Sequence, residues 1–155
     1  MNIADLQALV ADSPTTALLL TEPDHARPGP IIVHANAAFE ALSGYRAEEA
    51  IGRSPRFLQG PETNRLATMA ITRALRRREP IAECLANYHR GGAVYLCALE
   101  IHPIYGASGR LDYFAAFERA VVRRRGRPRA GFAGRYVPVD PLARLPSEAS
   151  RLFAA

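Results

Sequence analysis

The chain has no lysine, only two cysteines and no long apolar run, and each shortage removes a class of protein. Without lysine, the formal net charge of +5 is made by arginine alone. Its excess is local: Arg119, Arg123, Arg124, Arg125, Arg127 and Arg129 crowd one short stretch, while the preceding body is closer to balance. Such a cluster points to an anionic partner only where it is concentrated. Cys84 and Cys97 lie in apolar surroundings with neither a CxxC nor a metal-ligand spacing, which argues against a disulfide framework or a zinc site, and two buried free thiols are expected. His25, His34, His89 and His102 have no ligand-like spacing either, which argues against a metal or haem. The longest obvious apolar run, Ala17 to Leu20, falls far short of the roughly 18 residues a membrane span needs. Residues 1–11 carry Asp5 and show no basic patch followed by an apolar stretch, so they do not read as a secretory signal, and a cytoplasmic location without membrane contact is expected. No internal repeat and no nucleophile–base–acid set is visible, which points to a non-enzyme with no catalytic residues.

What remains is enough for one domain with tails, since 155 residues support one real core and not two comfortable ones. The reading divides the chain into a helical extension over 1–14, a domain over 15–121 and a basic, proline- and glycine-containing tail over 122–155. Ile3, Leu6, Leu9 and Val10 recur at helical spacing before Ser13-Pro14, an apolar stripe that calls for a cover on the sheet or on a second copy. Ala17 to Thr21 and Ile31 to His34 read as short strands, and helical pieces follow at Ala37 to Leu42 and Ala47 to Ala50. The clearest helix runs from Arg65 to Arg78, capped by Thr63 or Asn64, with Arg76, Arg77 and Arg78 at the negative end of its dipole.

After Pro80 the period switches to two. Tyr95, Cys97, Leu99 and Ile101 share one strand face, Leu85 and Asn87 share a face of the strand before, and Phe114, Ala116 and Glu118 point the same way on the last strand. Two strands before the long helix and three consecutive antiparallel strands after it give a five-stranded mixed α/β domain. From Arg123 on the pattern breaks, so the tail is expected to be extended or flexible unless a partner or second subunit orders it. Phe132, Tyr136, Val137, Leu142, Leu145, Leu152 and Phe153 are nevertheless too many apolar side chains for a purely solvated linker.

The run Gly52-Arg53-Ser54-Pro55-Arg56-Phe57-Leu58-Gln59-Gly60-Pro61-Glu62-Thr63 resembles the signature of LOV (light, oxygen, voltage) domains, flavin photoreceptors of the PAS class. In these a Gly-x-Asn-Cys-Arg-Phe-Leu-Gln stretch is followed by Gly-Pro-Glu-Thr. Asn36 through Tyr45 and Leu85 through Gly92 resemble further family segments, and the likeness runs from about Thr15 to Val121. It implies an α+β PAS fold, a five-stranded antiparallel sheet gripping a ligand pocket under short helices.

The resemblance also locates the departures. In the family a cysteine bonds to the flavin under light, and Pro55 stands in its place; proline offers neither a nucleophile nor a backbone donor, which excludes a cysteinyl–flavin adduct there. Ser54 replaces an asparagine that bonds the flavin side chain. Arg56 and Gln59 match residues that touch the ribityl chain and phosphate. Thr72 replaces a second phosphate-binding arginine, and Arg73 beside it is turned about 100° away. Asn87 matches one of two ring-reading asparagines, Cys97 replaces the other, and Glu118 replaces the glutamine whose amide flips. An ionised Glu118 only accepts, so compatibility with flavin requires burial to keep it protonated; otherwise it pairs with an arginine at the pocket mouth.

The cofactor expectation is therefore none, or FMN held noncovalently. The functional expectation is a sensory PAS module acting through protein contact, as a homodimer or with a signalling partner. The alternatives are a noncovalent flavin redox or photoreduction sensor, and a weak nucleic-acid contact through Arg123 to Arg129, whose Arg-Gly-Arg-Pro core resembles a minor-groove hook.

Overall fold

The computed structural model describes residues 1–26, 28–126 and 135–153. It begins with α1 (Ile3–Asp12), started by a reciprocal cap in which Asp5 N donates to Asn2 Oδ1 at 2.8 Å and Asn2 N donates to Asp5 Oδ2 at 3.0 Å. Strands β1 (Ala17–Thr21) and β2 (Ile32–Ala35) follow, then α2 (Ala37–Ser43) and α3 (Ala47–Ala50). Asn36 caps α2 by accepting from Phe39 N at 3.0 Å, and the same oxygen accepts from Leu18 N at 2.9 Å, tying the helix start to β1. Gly44 at φ 77° ends α2, as the Ser43-Gly44 break implied.

A 3-10 helix over Pro55–Leu58 leads to α4 (Arg65–Arg77), and then β3 (Ile81–Tyr88), β4 (Val94–Tyr105) and β5 (Leu111–Arg123) form consecutive hairpins. Asn64, not Thr63, caps α4, accepting from Leu66 N at 2.8 Å. Thr63 instead donates to Ala86 O at 2.7 Å and fastens the loop to β3. Arg78 lies beyond the last turn of α4 as a left-handed cap at φ 57°, so two arginines rather than three occupy that turn.

The strand order is β2-β1-β5-β4-β3, antiparallel throughout. The expected five strands are joined by a short sixth, β6 (Tyr136–Pro138), which pairs with the end of β5 through Val121–Pro138, Val122–Val137 and Arg123–Tyr136. A last helix, α5, spans Pro146–Phe153. The tail after Arg123 is thus tied to the domain on both sides of residues 127–134. Arg127 and Arg129, and Phe132 of the apolar tail set, lie outside the described residues.

Each sheet face has its own core. On the inner face Cys97, Leu99, Ile101, Phe114 and Ala116 meet Phe39, Ala50, Leu58, Ala67 and Leu75 from the helices. On the outer face Leu18, Ile104, Ala115 and Phe117 are covered by Leu6, Leu9 and Val10 of α1 and by Leu145. The α1 stripe finds its cover on this sheet, with only Ile3 of the four left exposed. Leu142 is exposed as well, so the tail's apolar residues do not all serve as cover. No helix among the described residues is long and apolar enough to cross a membrane.

Candidate functional site

The ladder of β3, β4 and β5 brings three of the expected ligand-reading residues together. Leu85 stands opposite Cys97, Asn87 opposite Tyr95, and Leu99 opposite Glu118, so Asn87, Cys97 and Glu118 step across three neighbouring strands on the inner face. Their exposures are 3%, 0% and 4%, deep enough that each polar group must find a partner within the protein or a ligand.

Glu118 finds little. Cys97 Sγ donates to its Oε2 at 3.8 Å, a weak bond, and among the described residues no arginine pairs with it. The expected arginine contact fails because Arg119, the adjacent residue, points to the other face and pairs with Glu148 at 2.7 Å. Burial pushes the Glu118 carboxyl up to about 7, only slightly opposed by the thiol, so the group is divided between charged and neutral forms near neutral pH. Burial first, and the Glu118 charge second, hold the Cys97 thiol well above its ordinary value. A thiol in that state is a poor nucleophile.

Two side chains that the sequence reading did not single out as site residues belong to the same face. Tyr95 Oη and Thr21 Oγ1 are buried with no hydrogen-bond partner. Burial, then the Glu118 charge, raises the Tyr95 phenol, while Asn87 lies near enough to favour the ionised form slightly without hydrogen-bonding geometry to Oη. Strand parity was the available signal: Tyr95 alternates with Cys97, and Thr21 with the buried Leu19.

The residues of the signature segment sit on the 3-10 helix, whose Leu58 packs in the inner core with Cys97. Ser54 is its N-cap, with Oγ accepting from Arg56 N at 3.4 Å, and Pro55 occupies the first helical position, where a missing N–H leaves nothing unsatisfied. Ser54, Pro55 and Gln59 are half-buried and Arg56 is exposed. Arg56 Nε and Ser54 Oγ flank Gly29, where a Cβ would meet them at 3.4 Å and 3.1 Å, so the β1–β2 loop closes against this helix. The Arg53 guanidinium lies 4.0 Å over the Phe57 ring. Thr72 spends its hydroxyl on Thr68 O at 3.0 Å within α4, and Arg73 is exposed.

The donor set fits a flavin mononucleotide poorly. Of the three strand positions that the resemblance assigns to a ring edge, one amide remains beside a weakly donating thiol and a half-ionised carboxyl. For a phosphate, Arg56 stands without a second arginine, since the Thr72 hydroxyl is already engaged. A groove of about 410 Å³ between the β1–β2 loop, the end of α4 and the β4–β5 turn is lined by none of these residues. The described residues include no group of three or more His, Cys, Asp or Glu placed to hold a metal.

A family profile for the PAS domain matches residues 15–119. A blue-light-activated histidine kinase of Brucella ovis is 40% identical over 99 residues, which is 64% of this chain and 20% of the kinase. One of Rhizobium johnstonii is 34% identical over 110 residues, 71% of this chain and 31% of the kinase. The chain therefore spans a fifth to under a third of the length of these curated relatives, and the match lies outside most of each kinase. Among solved structures, a light-oxygen-voltage domain studied with a flavin analogue superposes with a TM-score of 0.69 at 29% identity, covering 79% of this chain and 87% of that one. The LOV domain of a blue-light activated histidine kinase from Erythrobacter litoralis superposes with a TM-score of 0.63 at 26% identity, covering 68% and 94%.

Proposed function

The chain belongs to the PAS domain family in its LOV branch, and from that premise we propose a cytoplasmic signalling module that works through protein contact, with a second copy or a signalling partner, and forms no cysteinyl–flavin bond. Pro55 carries this reading: the resemblance of the signature run sets it at the family's reactive cysteine, and it is suited to its place at the start of the 3-10 helix. Cys97 does not substitute for it, since its thiol is buried, held protonated and engaged with Glu118.

A second reading, a sensor holding flavin without a covalent bond, is favoured by one observation: the buried hydroxyls of Thr21 and Tyr95 have no protein partner. Against it stand the changes at Ser54, Thr72, Cys97 and Glu118. A nucleic-acid contact through Arg123 to Arg129 draws no support from the relatives.

Absorption of the purified chain, before and after incubation with FMN and blue light, tests both readings. No adduct-type spectrum is expected, either for this chain or for its Pro55→Cys variant. Reversible bleaching of the parent chain toward the near ultraviolet overturns the assignment of Pro55, bleaching of the Pro55→Cys variant alone upholds that assignment but shows that the pocket still takes flavin, and a stable yellow complex favours the second reading. Light scattering coupled to size exclusion tests self-pairing, and a strict monomer at concentrations on the order of tens of micromolar removes the second copy as partner.

A further inference from the structure

The solvent face of α4 is unusual in its chemistry. At about 100° per residue, Arg65, Arg76, Met69, Arg73, Leu66 and Arg77 fall within an arc of about 120°. The opposite face is buried through Ala67, Ala74 and Leu75, of which Ala67 and Leu75 enter the inner core. Leu66 is 75% exposed and Met69 52% exposed, one helical turn apart. The four arginines are exposed, and α4 contains no acidic residue.

The fold's own electrostatics explain only part of this. Arg76 and Arg77 suit the negative end of the helix dipole, but Arg65 sits in the first turn, where a cation is disfavoured, and Arg73 is mid-helix. Arg46, Arg90, Arg110 and Arg119 elsewhere are ion-paired, whereas among the described residues no carboxylate pairs with Arg65, Arg73, Arg76 or Arg77. Residues 27, 127–134 and 154–155, outside the described set, carry no Asp or Glu to supply one.

We propose that this face of α4 docks an acidic helical segment of a partner protein, with Leu66 and Met69 as apolar anchors and the surrounding arginines pairing with its carboxylates. A nucleic acid uses the arginines and leaves two aliphatic side chains stranded among phosphates. A lipid surface calls for a broad apolar stripe, and α4 offers only one turn of it. An acidic amphipathic helix uses both features: apolar anchors fill the centre and charges set orientation and encounter rate. Met69, unbranched and polarizable, suits an adaptable contact. The assignment rests on the reading of the chain as a module acting through protein contact. The two fail separately, because the absorption and self-pairing measurements do not involve α4.

The test is selection of a displayed random helical-peptide library on the full chain, followed by anisotropy titration of the enriched peptides. The expected winners are rich in Asp and Glu with two aliphatic residues a turn apart. Leu66→Ser with Met69→Ser should weaken them about tenfold or more, Arg65→Ser with Arg73→Ser should weaken them comparably, and added salt should weaken them further. Both double variants should keep the parent's thermal midpoint, because all four positions are exposed. Failure to enrich acidic peptides, or undiminished binding to both folded variants, overturns the proposal. Tighter binding of anionic phosphatidylglycerol vesicles or of duplex DNA, lost in the same variants, overturns it in favour of lipid or nucleic acid.

Discussion

Glu100 and Glu118 leave adjacent rungs of the same two strands, for Glu118 stands opposite Leu99 and Glu100 opposite Phe117, yet they enter opposite faces of the sheet. Both are covered from solvent, at 5% and 4% exposure, though Glu100 lies nearer the surface, and their proton affinities move in opposite directions. Burial works to raise both. At Glu100 it is outweighed by donors: Ser147 N at 3.1 Å, the Ser147 hydroxyl and His102 Nε2 at 3.1 Å hold the carboxyl below its ordinary value. Glu118 receives one weak thiol and rises to about 7. Depth and the donors aimed at it together fix the charge of a buried carboxylate: Glu118 is the deeper of the two and the poorer in donors. On the outer face the tail supplies Glu100 with its donors, although the Nε of Arg119 there stays buried without a hydrogen-bond partner among the described residues, whereas the inner face keeps two unspent hydroxyls and an uncommitted carboxyl.

The strongest way to break that contrast is to remove the outer cover. Truncation after Val122 deletes β6 and α5, exposes the surface buried by Leu145, and leaves Arg119 and Glu100 without Glu148 and Ser147. A loss of about 4 kcal/mol or more is expected in denaturant unfolding, because a buried leucine alone is worth about 2–5 and an orphaned buried charge adds to it. An unchanged midpoint and oligomeric state would mean that the tail covers nothing of consequence.

The next largest effect belongs to Glu118→Gln. In the folded parent the carboxyl keeps its proton up to about pH 7, while the unfolded chain releases it near 4.5. Between those values the native state holds the extra proton, so parent stability falls as pH rises, by about 3 kcal/mol in total, and is flat above. Glutamine does not titrate. The variant should match the parent in acid and exceed it by up to about 3 kcal/mol at mildly alkaline pH. Equal unfolding midpoints at both ends of the range would show that Glu118 has donors the geometry does not reveal.

Much of the inner face was legible in the sequence, and less of the outer. Period-two alternation in Tyr95 to Ile101 and Phe114 to Glu118 assigns these residues to one face, because strand geometry leaves them no other arrangement. The helix edges were legible where a cap residue or a glycine marks them, as at Asn36, Gly44 and Asn64. Alternation cannot reveal which donors a buried acid meets, since these arrive from segments distant in sequence: Ser147 lies 47 residues beyond Glu100. The tail's order was missed for a related reason. Tyr136–Pro138 is too short to show a period and pairs only because β5 runs on to Arg123. A start signal for α5 was present in Pro146 followed by Glu148, whose Oε2 accepts from Leu145 N at 3.1 Å. Ser13 and Thr16, which accept from Arg144 N at 3.0 Å and donate to Arg144 O at 2.8 Å, clip the same segment to the start of β1 and carry no sequence mark at all.

Glu100→Gln sharpens the comparison with the smallest change. The amide oxygen can still accept from Ser147 N, but the other oxygen becomes an NH2 group that cannot accept, so the charge assistance and one acceptor are lost, about 1–2 kcal/mol at neutral pH. The sign is opposite to that at Glu118. Because the folded carboxyl lies below 4.5, its contribution is complete above the unfolded value and disappears as pH falls through the folded one, so the parent gains stability as acid is removed and the variant does not. The deficit of the variant should therefore be present at pH 7 and close in acid, where the Glu118→Gln difference closes too but from the other side. Amide exchange in α5 supplies an independent reading, because Glu100 bonds the first turn of that helix: faster exchange confined to α5 is expected, with β4 and β5 unchanged. A variant more stable than the parent at neutral pH would place both carboxylates in the same class and erase the distinction between the faces.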